Sequence, residues 1–296
     1  MENALAIIGA GRVGRALGRS LRELGWKIGA VVTRNAMTAR KAVRFIGAGQ
    51  PHGVAVREIL ASPTILIAVP DDAVVHVAAE LARIGAEELR GKVVLHTSGA
   101  LDSAALAALK QYGAAVGGMH PLQTFSGVGV PPLEGRVFAI EGDTAALRTA
   151  RQIARSLGGS PVRIAGNKKA FYHAAAAMAA GHVLTIEEAA TQLLISVGMT
   201  RHQATRALLP LTRQVLENFE RLGPRPAWTG PLSRGDYRIV EAHLKALQES
   251  PQEFAAAYDA VARLAARLLA NDARGMLDEL SNISGDKKAK IAGGNA

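Results

Sequence analysis

The chain has 296 residues and no cysteine, which excludes disulfide frameworks, thiolate metal sites and cysteine nucleophiles, and a cytoplasmic protein of two domains is expected. The formal charge of +10 is spread along the chain without forming a basic stripe, and aromatic residues make up only 4%, so no nucleic-acid partner is expected. The start, Met1-Glu2-Asn3, lacks the basic region of a signal peptide and leads straight into an apolar run.

Residues 1–160 alternate short apolar runs with helix-length stretches, the pattern of a mostly parallel sheet covered on both faces. The first run, Ala4 to Ile8, enters Gly9-Ala10-Gly11-Arg12-Val13-Gly14 and then a helix over Val13 to Leu24. Glycines at this spacing carry weight only in such a strand-to-helix context, and here the context is present. Gly9 permits the tight turn, Gly11 lets backbone approach a pyrophosphate, and Gly14 lets the helix pack on the strand. The helix start adds free N–H groups and a positive dipole end. Dinucleotide contacts are therefore expected from Gly9, Ala10, Gly11, Arg12, Val13 and Gly14.

The second strand, Lys27 to Val32, runs into Thr33-Arg34-Asn35. A carboxylate at this point would bind a ribose 2′-hydroxyl and repel a 2′-phosphate. None is present, and Arg34 offers a planar fork to a phosphate with Thr33 beside it, so NADP(H) is expected over NAD(H). Arg40 and Lys41 follow on the next helix, either near that phosphate or as solvated charges.

The third strand, Thr64 to Val69, is stopped by Pro70, and Asp72 is expected to cap a helix over Asp72 to Ile84. Backbone at Val69 and Pro70 is expected against the cofactor. Next come a strand over Lys92 to His96, the cluster His96-Thr97-Ser98-Gly99, a helix over Asp102 to Tyr112, a strand over Ala114 to Met119 and the cluster His120-Pro121-Leu122-Gln123-Thr124. Ligands of open α/β sheets sit outside the carboxyl ends of strands. That places Ser98 and Gly99 as holders of a substrate carboxylate or the nicotinamide ribose and His120 as partner of a substrate oxygen, with ordinary turn chemistry as the competing reading. A strand over Arg136 to Ile140 and a helix over Thr144 to Leu157 follow, and strand character ends after Pro161-Val162-Arg163-Ile164.

From there residues 161–283 read as an all-α second domain, and 284–296 as a disordered tail. Helices are expected over Lys168 to Val197, Thr200 to Leu222, Asp236 to Leu247 and Pro251 to Leu269, with Asn167 and Thr200 as caps and a kink at Pro210. The longest apolar tract, Ala174 to Leu184, is interrupted by Gly181 and His182 and is too short to span a bilayer, so no membrane partner is expected. Lys169 and His173 share a helical face that continues through Ala176 and Ala180, leaving room for a ligand. Hydride transfer to C=O or C=N needs a cation or proton donor at the atom where negative charge develops, and Lys169, His173 and His120 are the catalytic candidates. The alternative is a lysine flanking a buried helix and a satisfied core histidine. In Thr229-Gly230-Pro231-Leu232-Ser233-Arg234-Gly235-Asp236, Asp236 reads as an N-cap and Arg234 as a partner for an anionic substrate. The Ala- and Leu-rich helices carry more apolar face than one copy buries, which predicts a homodimer.

The glycine motif, Met119-His120-Pro121-Leu122-Gln123-Thr124-Phe125, Lys169 with Tyr172-His173-Ala174-Ala175, and Thr229-Gly230-Pro231 with Arg234-Gly235-Asp236 together resemble the Rossmann-like proteins bearing the helical domain of unknown function 2520, over nearly all of residues 4–280. More distantly the chain is similar to ketopantoate reductase, pyrroline-5-carboxylate reductase and the β-hydroxyacid dehydrogenases. The resemblance implies a doubly wound Rossmann domain with a helical partner domain, and a catalytic Lys early in the interdomain helix, the position of Lys169. Those relatives often add an Asn further along that helix; here no Asn occurs between His173 and Ile195. The expected function is NADPH-dependent hydride transfer to the ketone of a small carboxylic acid, ketopantoate being the most specific candidate. The alternatives are a cyclic imine reductase and a non-catalytic NADP(H) sensor.

Overall fold

The computed structural model describes residues 3–54 and 56–284. Two compact units divide the chain, Met1–His182 and Val183–Ala296. In the first, the elements run β1 (Ala4–Ile8), α1 (Arg12–Glu23), β2 (Lys27–Val32), α2 (Ala36–Ile46), β3 (Gln50–His52), β4 (Thr64–Ile67), α3 (Asp71–Gly85), β5 (Val93–His96), α4 (Ala107–Lys110), β6 (Ala115–Pro121), β7 (Val137–Gly142), α5 (Thr144–Ser156), β8 (Ser160–Arg163) and α6 (Lys169–Ala177). The strands form one 8-stranded sheet in the order β3-β2-β1-β4-β5-β6-β7-β8. Only β6 and β7 pair antiparallel; the other neighbours are parallel. The chain reverses its winding between β1 and β4, and the carboxyl ends at that reversal form the crevice such sheets use for ligands.

Alternate residues of each central strand point to opposite faces, and both faces are buried. Leu5, Ile7, Val31, Leu66 and Leu95 join Leu17, Leu21, Ile46 and Ile153 on one side. Ala6, Ile8, Ile65, Ile67 and Val94 join Val74, Leu81 and Leu106 on the other. This double burial is why the strands read as unbroken apolar runs.

Several expectations need correction. β3 carries no strand signal, since Gln50-Pro51-His52 is polar; it is a strand because it pairs with Ala30, Val31 and Val32 at the sheet edge, where a proline is tolerated. β8 pairs with β7, so the sheet runs to Arg163, past residue 160, and the first unit extends to His182. Helix α3 starts at Asp71 after Pro70, so Asp72 is a first-turn residue favouring the dipole and not a cap. The stretch after Asp102 divides into a 3₁₀ turn, Ser103–Leu106, and the short α4. No side chain caps α6, so Asn167 does not serve that role. The expected helix over Lys168 to Val197 is interrupted by a π turn at Met178–His182, where Gly181 stands, and regular α-helix resumes at Val183.

The second unit consists of α7 (Val183–Ser196), α8 (Arg201–Leu222), α9 (Pro224–Ala227), α10 (Tyr237–Leu247), α11 (Gln252–Leu269) and α12 (Ala273–Ser284). Thr200 caps α8 in a full capping box with Gln203, and the helix runs on through Pro210. Asp236 occupies the N-cap of α10 without a side-chain capping bond. Its core gathers Val240, Ala262, Ala266, Met276 and Leu280 from α10, α11 and α12. Helix α12 places Ser284 in ordered structure, its hydroxyl bonded to Asp259 and Leu280, which corrects the start of the expected tail; residues 285–296 lie outside the described residues. Among the described residues no helix is long and apolar enough to cross a membrane.

Candidate active site

The glycine turn closes β1 at the sheet's reversal. The Gly9 N–H donates to the Val32 carbonyl at 2.8 Å, and its φ of +87° is the left-handed region that favours glycine. A side chain on Gly9 would also meet the Ala68 carbonyl at 2.5 Å and Val69 at 2.5 Å, so Val69 and the following Pro70 form a lip against the turn. At Gly14 a Cβ would stand 2.3 Å from the Gly9 carbonyl, which is the close helix-on-turn packing expected. Gly11 differs from both: nothing lies within 4 Å of its Cβ position, so open space faces the backbone there. Gly11 is the N-cap of α1 and offers no side-chain cap, and Arg15 is the first helix residue whose N–H bonds back to Gly11. The N–H groups of Arg12, Val13 and Gly14 precede that first bond, open space lies beside Gly11, and Ala10 is buried. These residues fit an anionic phosphate.

At the end of β2 the Thr33 hydroxyl donates to the Asn35 carbonyl at 2.8 Å, and the Asn35 side chain accepts from the Thr38 N–H to cap α2. Thr33 and Asn35 are occupied in shaping the turn, and exposed Arg34 is left facing solvent. The loop after β6 leans on α1: Arg15 donates to the Gly127 carbonyl at 2.7 Å while its guanidinium lies over the Phe45 ring at 4.8 Å, and exposed Arg12 stands beside Gly127.

A second cluster lies at the ends of β5 and β6 and along α6. The Tyr172 hydroxyl and His120 Nδ1 are 2.8 Å apart, and the His120 ring meets Tyr172 and His173 edge to face. Gly99 makes the approach possible, since a Cβ there would be 2.3 Å from His173 Nδ1 and 3.0 Å from His120 Nε2. His173 Nδ1 is buried without a hydrogen-bond partner. Burial, with Lys169 and His173 nearby, pushes His120 down to about 4, so its ring is neutral at physiological pH. Burial pushes Tyr172 up to about 12, so its hydroxyl stays protonated. His120, Tyr172 and His173 line a cavity of about 570 Å³, together with Leu122, Gln123, Thr124 and alanines of α6 and the π turn.

Lys169 stands behind this cavity. It is 1% exposed, and its Nζ donates to the Ser98 carbonyl at 2.7 Å. Ser98 is buried too: its N–H donates to His96 Nδ1 at 3.2 Å and its Oγ accepts from the Ala100 and Leu101 N–H groups. Ser98 therefore organises the strand end through its backbone and hydroxyl oxygen. Arg234 is exposed on the 3₁₀ turn Leu232–Arg234 of the second unit. The sequence reading missed Tyr172 as a site residue, and Glu141, which is 5% exposed. The signal for Glu141 was available, as a lone carboxylate inside the apolar strand β7.

Residues 2–121 match the Rossmann-like domain, and residues 136–265 match the domain of unknown function 2520. The chain is thus a Rossmann-like protein carrying that second domain, whose match begins at β7 and so includes the last two strands of the sheet. Among solved structures, it is similar to a candidate NADP oxidoreductase from Bacteroides fragilis, at 22% identity and a TM-score of 0.71 over 88% of this chain and 97% of that one. A reductive aminase from Aspergillus terreus in complex with NADPH and ethyl-5-oxohexanoate aligns at 18% identity and TM-score 0.62, over 96% and 93% of the two chains. A pyrroline carboxylate reductase from Plasmodium falciparum with NADP bound aligns at 13% identity and TM-score 0.59, over 96% and 99%. At these identities the likeness is one of fold. No curated protein matches the chain in sequence.

Proposed function

We propose that this chain is an NADPH-dependent reductase that delivers hydride to the ketone of a small carboxylic acid, with ketopantoate the most specific candidate. The observation that carries the reading is the open space at Gly11, set at the winding reversal, with exposed Arg34 and no carboxylate at the end of the neighbouring strand. Gly9, Ala10, Gly11 and the N–H groups of Arg12, Val13 and Gly14 would hold the pyrophosphate, Arg34 the 2′-phosphate, and the Val69–Pro70 lip the adjoining ribose. The presence of NADPH and NADP in the aminase and the Plasmodium reductase supports this choice. When bound, NADPH supplies the hydride.

The chain's own residues handle the proton. Tyr172 holds one at its hydroxyl across the neutral range, and the neutral His120 ring beside it orients that hydroxyl through Nδ1 while solvent returns the proton. His173 shares the cavity, and Lys169 adds positive potential from behind Ser98 without touching the substrate. An imine or an uncharged carbonyl is the second reading. The lining of the cavity contains no lysine or arginine to meet a carboxylate, and two kinds of similar fold belong to proteins named for imine chemistry. The test is a fluorescence titration of NADPH against NADH followed by a turnover panel of 2-keto acids and cyclic imines. Equal affinity for both cofactors overturns the NADPH assignment. Tight NADPH binding with no turnover of any panel member overturns the reductase and favours a sensor.

A homodimer built on the second unit belongs to the same proposal. Among described residues α7 buries only Thr191 and α8 only Ala204, while Leu184, Ile186, Leu211, Leu216 and Phe219 stay exposed. An apolar face of this extent suits a second copy of itself.

A further inference from the structure

Among the described residues Glu141 is the one buried carboxylate, and the proposed reaction uses it nowhere. It lies opposite Gly118 in the antiparallel register of β6 and β7, and its Oε1 has no hydrogen-bond partner. A Cβ on Gly118 would stand 2.6 Å from Glu141 Oε1, 3.0 Å from Lys169 Nζ and 3.0 Å from His96 Cε1. The absent side chain thus leaves a small space on which a carboxylate, an ammonium and an imidazole converge.

A buried carboxylate needs a counter-charge. His96 does not supply it, although its Nε2 lies 3.9 Å from Glu141 Oε1. Its Nδ1 accepts from the Ser98 N–H, so its proton sits on Nε2, which donates to the Asp102 carbonyl at 3.1 Å. Both nitrogens of a neutral ring are thereby used, in keeping with a side chain pushed down to about 4 by burial and by Lys169. The remaining cation is Lys169. The other groups facing it are Asp71 at the start of α3, Asp102 after β5, His96 on β5 and His120 on β6, with His173 one turn further along its own helix. Asp71 is exposed and Asp102 partly so, which leaves Glu141 as the unsolvated partner.

We propose that Glu141 is a positioning residue, which keeps Lys169 charged and donating to the Ser98 carbonyl and so fixes the Ser98–Gly99 backbone against which His173 and His120 stand. The functional meaning of this rests on the reading of the His120, Tyr172 and His173 cavity as the reaction site. The physical claim does not, and it is tested without cofactor or substrate.

The full chain is labelled with ¹³C at lysine Cε and titrated by NMR, with Lys169→Arg identifying the signal. In the wild type Lys169 stays protonated through neutral pH. In Glu141→Gln its midpoint falls by about one pH unit or more, and Glu141→Asp restores part of the difference. Hydrogen exchange at the Ala100 and Leu101 amides, which donate to Ser98 Oγ, accelerates about tenfold in Glu141→Gln, a loss of local protection of that size being readily measured. An unchanged midpoint or unchanged exchange overturns the proposal. Should Glu141→Gln fail to fold, the wild type alone decides: a Lys169 that loses its proton below neutral pH has no effective counter-charge, and the proposal falls. Failure of the keto-acid and imine panel leaves this result standing, and the reverse also holds.

Discussion

Tyr172 and Lys169 sit three residues apart on α6 yet face different surroundings, one lining a cavity and the other buried behind a strand end. Their variants should therefore fail in different ways. Tyr172→Phe is expected to leave folding and NADPH affinity intact while lowering turnover about a hundredfold, the lower range for loss of a general acid. Lys169→Ala should instead lower stability by about 3 kcal/mol or more, because Glu141 is left buried without its counter-charge; thermal unfolding reads it, with the exposed Lys168→Ala as a control that leaves the transition in place. Arg34→Ala should weaken NADPH about tenfold and leave NADH unchanged in the same fluorescence titration, since one charged hydrogen-bonding partner of the 2′-phosphate is lost. The histidines also set a pH dependence. Both His96 and His120 are pushed from an ordinary 6.5 to about 4 in the folded chain, so the unfolded chain binds more protons between those values. Stability is complete above about 6.5 and is lost as pH falls toward 4. Urea unfolding midpoints across that window should fall, and His120→Gln should flatten part of the slope; a flat wild-type profile would refute the neutral-histidine assignment.

At the scale of elements, the turn between β1 and α1 separates two roles that one glycine motif combines. A Cβ at Gly14 collides with the Gly9 carbonyl at 2.3 Å, whereas one at Gly11 meets nothing, and Gly11 has an ordinary φ of −71°. Gly14→Ala should thus cost about 1 to 3 kcal/mol through forced separation of α1 from the turn. Gly11→Ala should keep the wild-type melting temperature and still lose NADPH affinity about tenfold or more, because the new methyl fills the space a pyrophosphate would approach. Equal effects of the two substitutions on melting would contradict this division. The strand and helix pattern of this unit was legible in sequence because each central strand is apolar on both faces and each helix carries an apolar stripe. β3 was not legible, since an edge strand is fixed by its neighbour's backbone and its own side chains carry little of the signal.

For the whole molecule, the exposed apolar face of α7 and α8 is the feature with the largest consequence. Leu184 is 71% and Phe219 56% exposed, and side chains of that size in contact would each contribute about 1.5 to 3 kcal/mol on full burial. Light scattering at micromolar concentration should give twice the chain mass of 30.9 kDa, and Leu216→Glu with Phe219→Glu should return it to the monomer value. A wild-type monomer would remove the dimer.

The sequence by itself determined the class of fold, the order of the central elements, the position of the glycine turn and the absence of an acidic residue after β2. These are local properties, carried by spacing, periodicity and residue type within a few positions. Tertiary structure alone decided which polar side chains meet. His120 and Tyr172 are 52 residues apart in sequence, and Lys169 meets the Ser98 carbonyl across 71 residues. The register of β6 against β7 brings Glu141 opposite Gly118 and so beside Lys169. Sequence placed Lys169 and His173 on one helical face, but only packing against β5, β6 and β7 divided that face, because burial and pairing are set by whatever the rest of the chain lays against it.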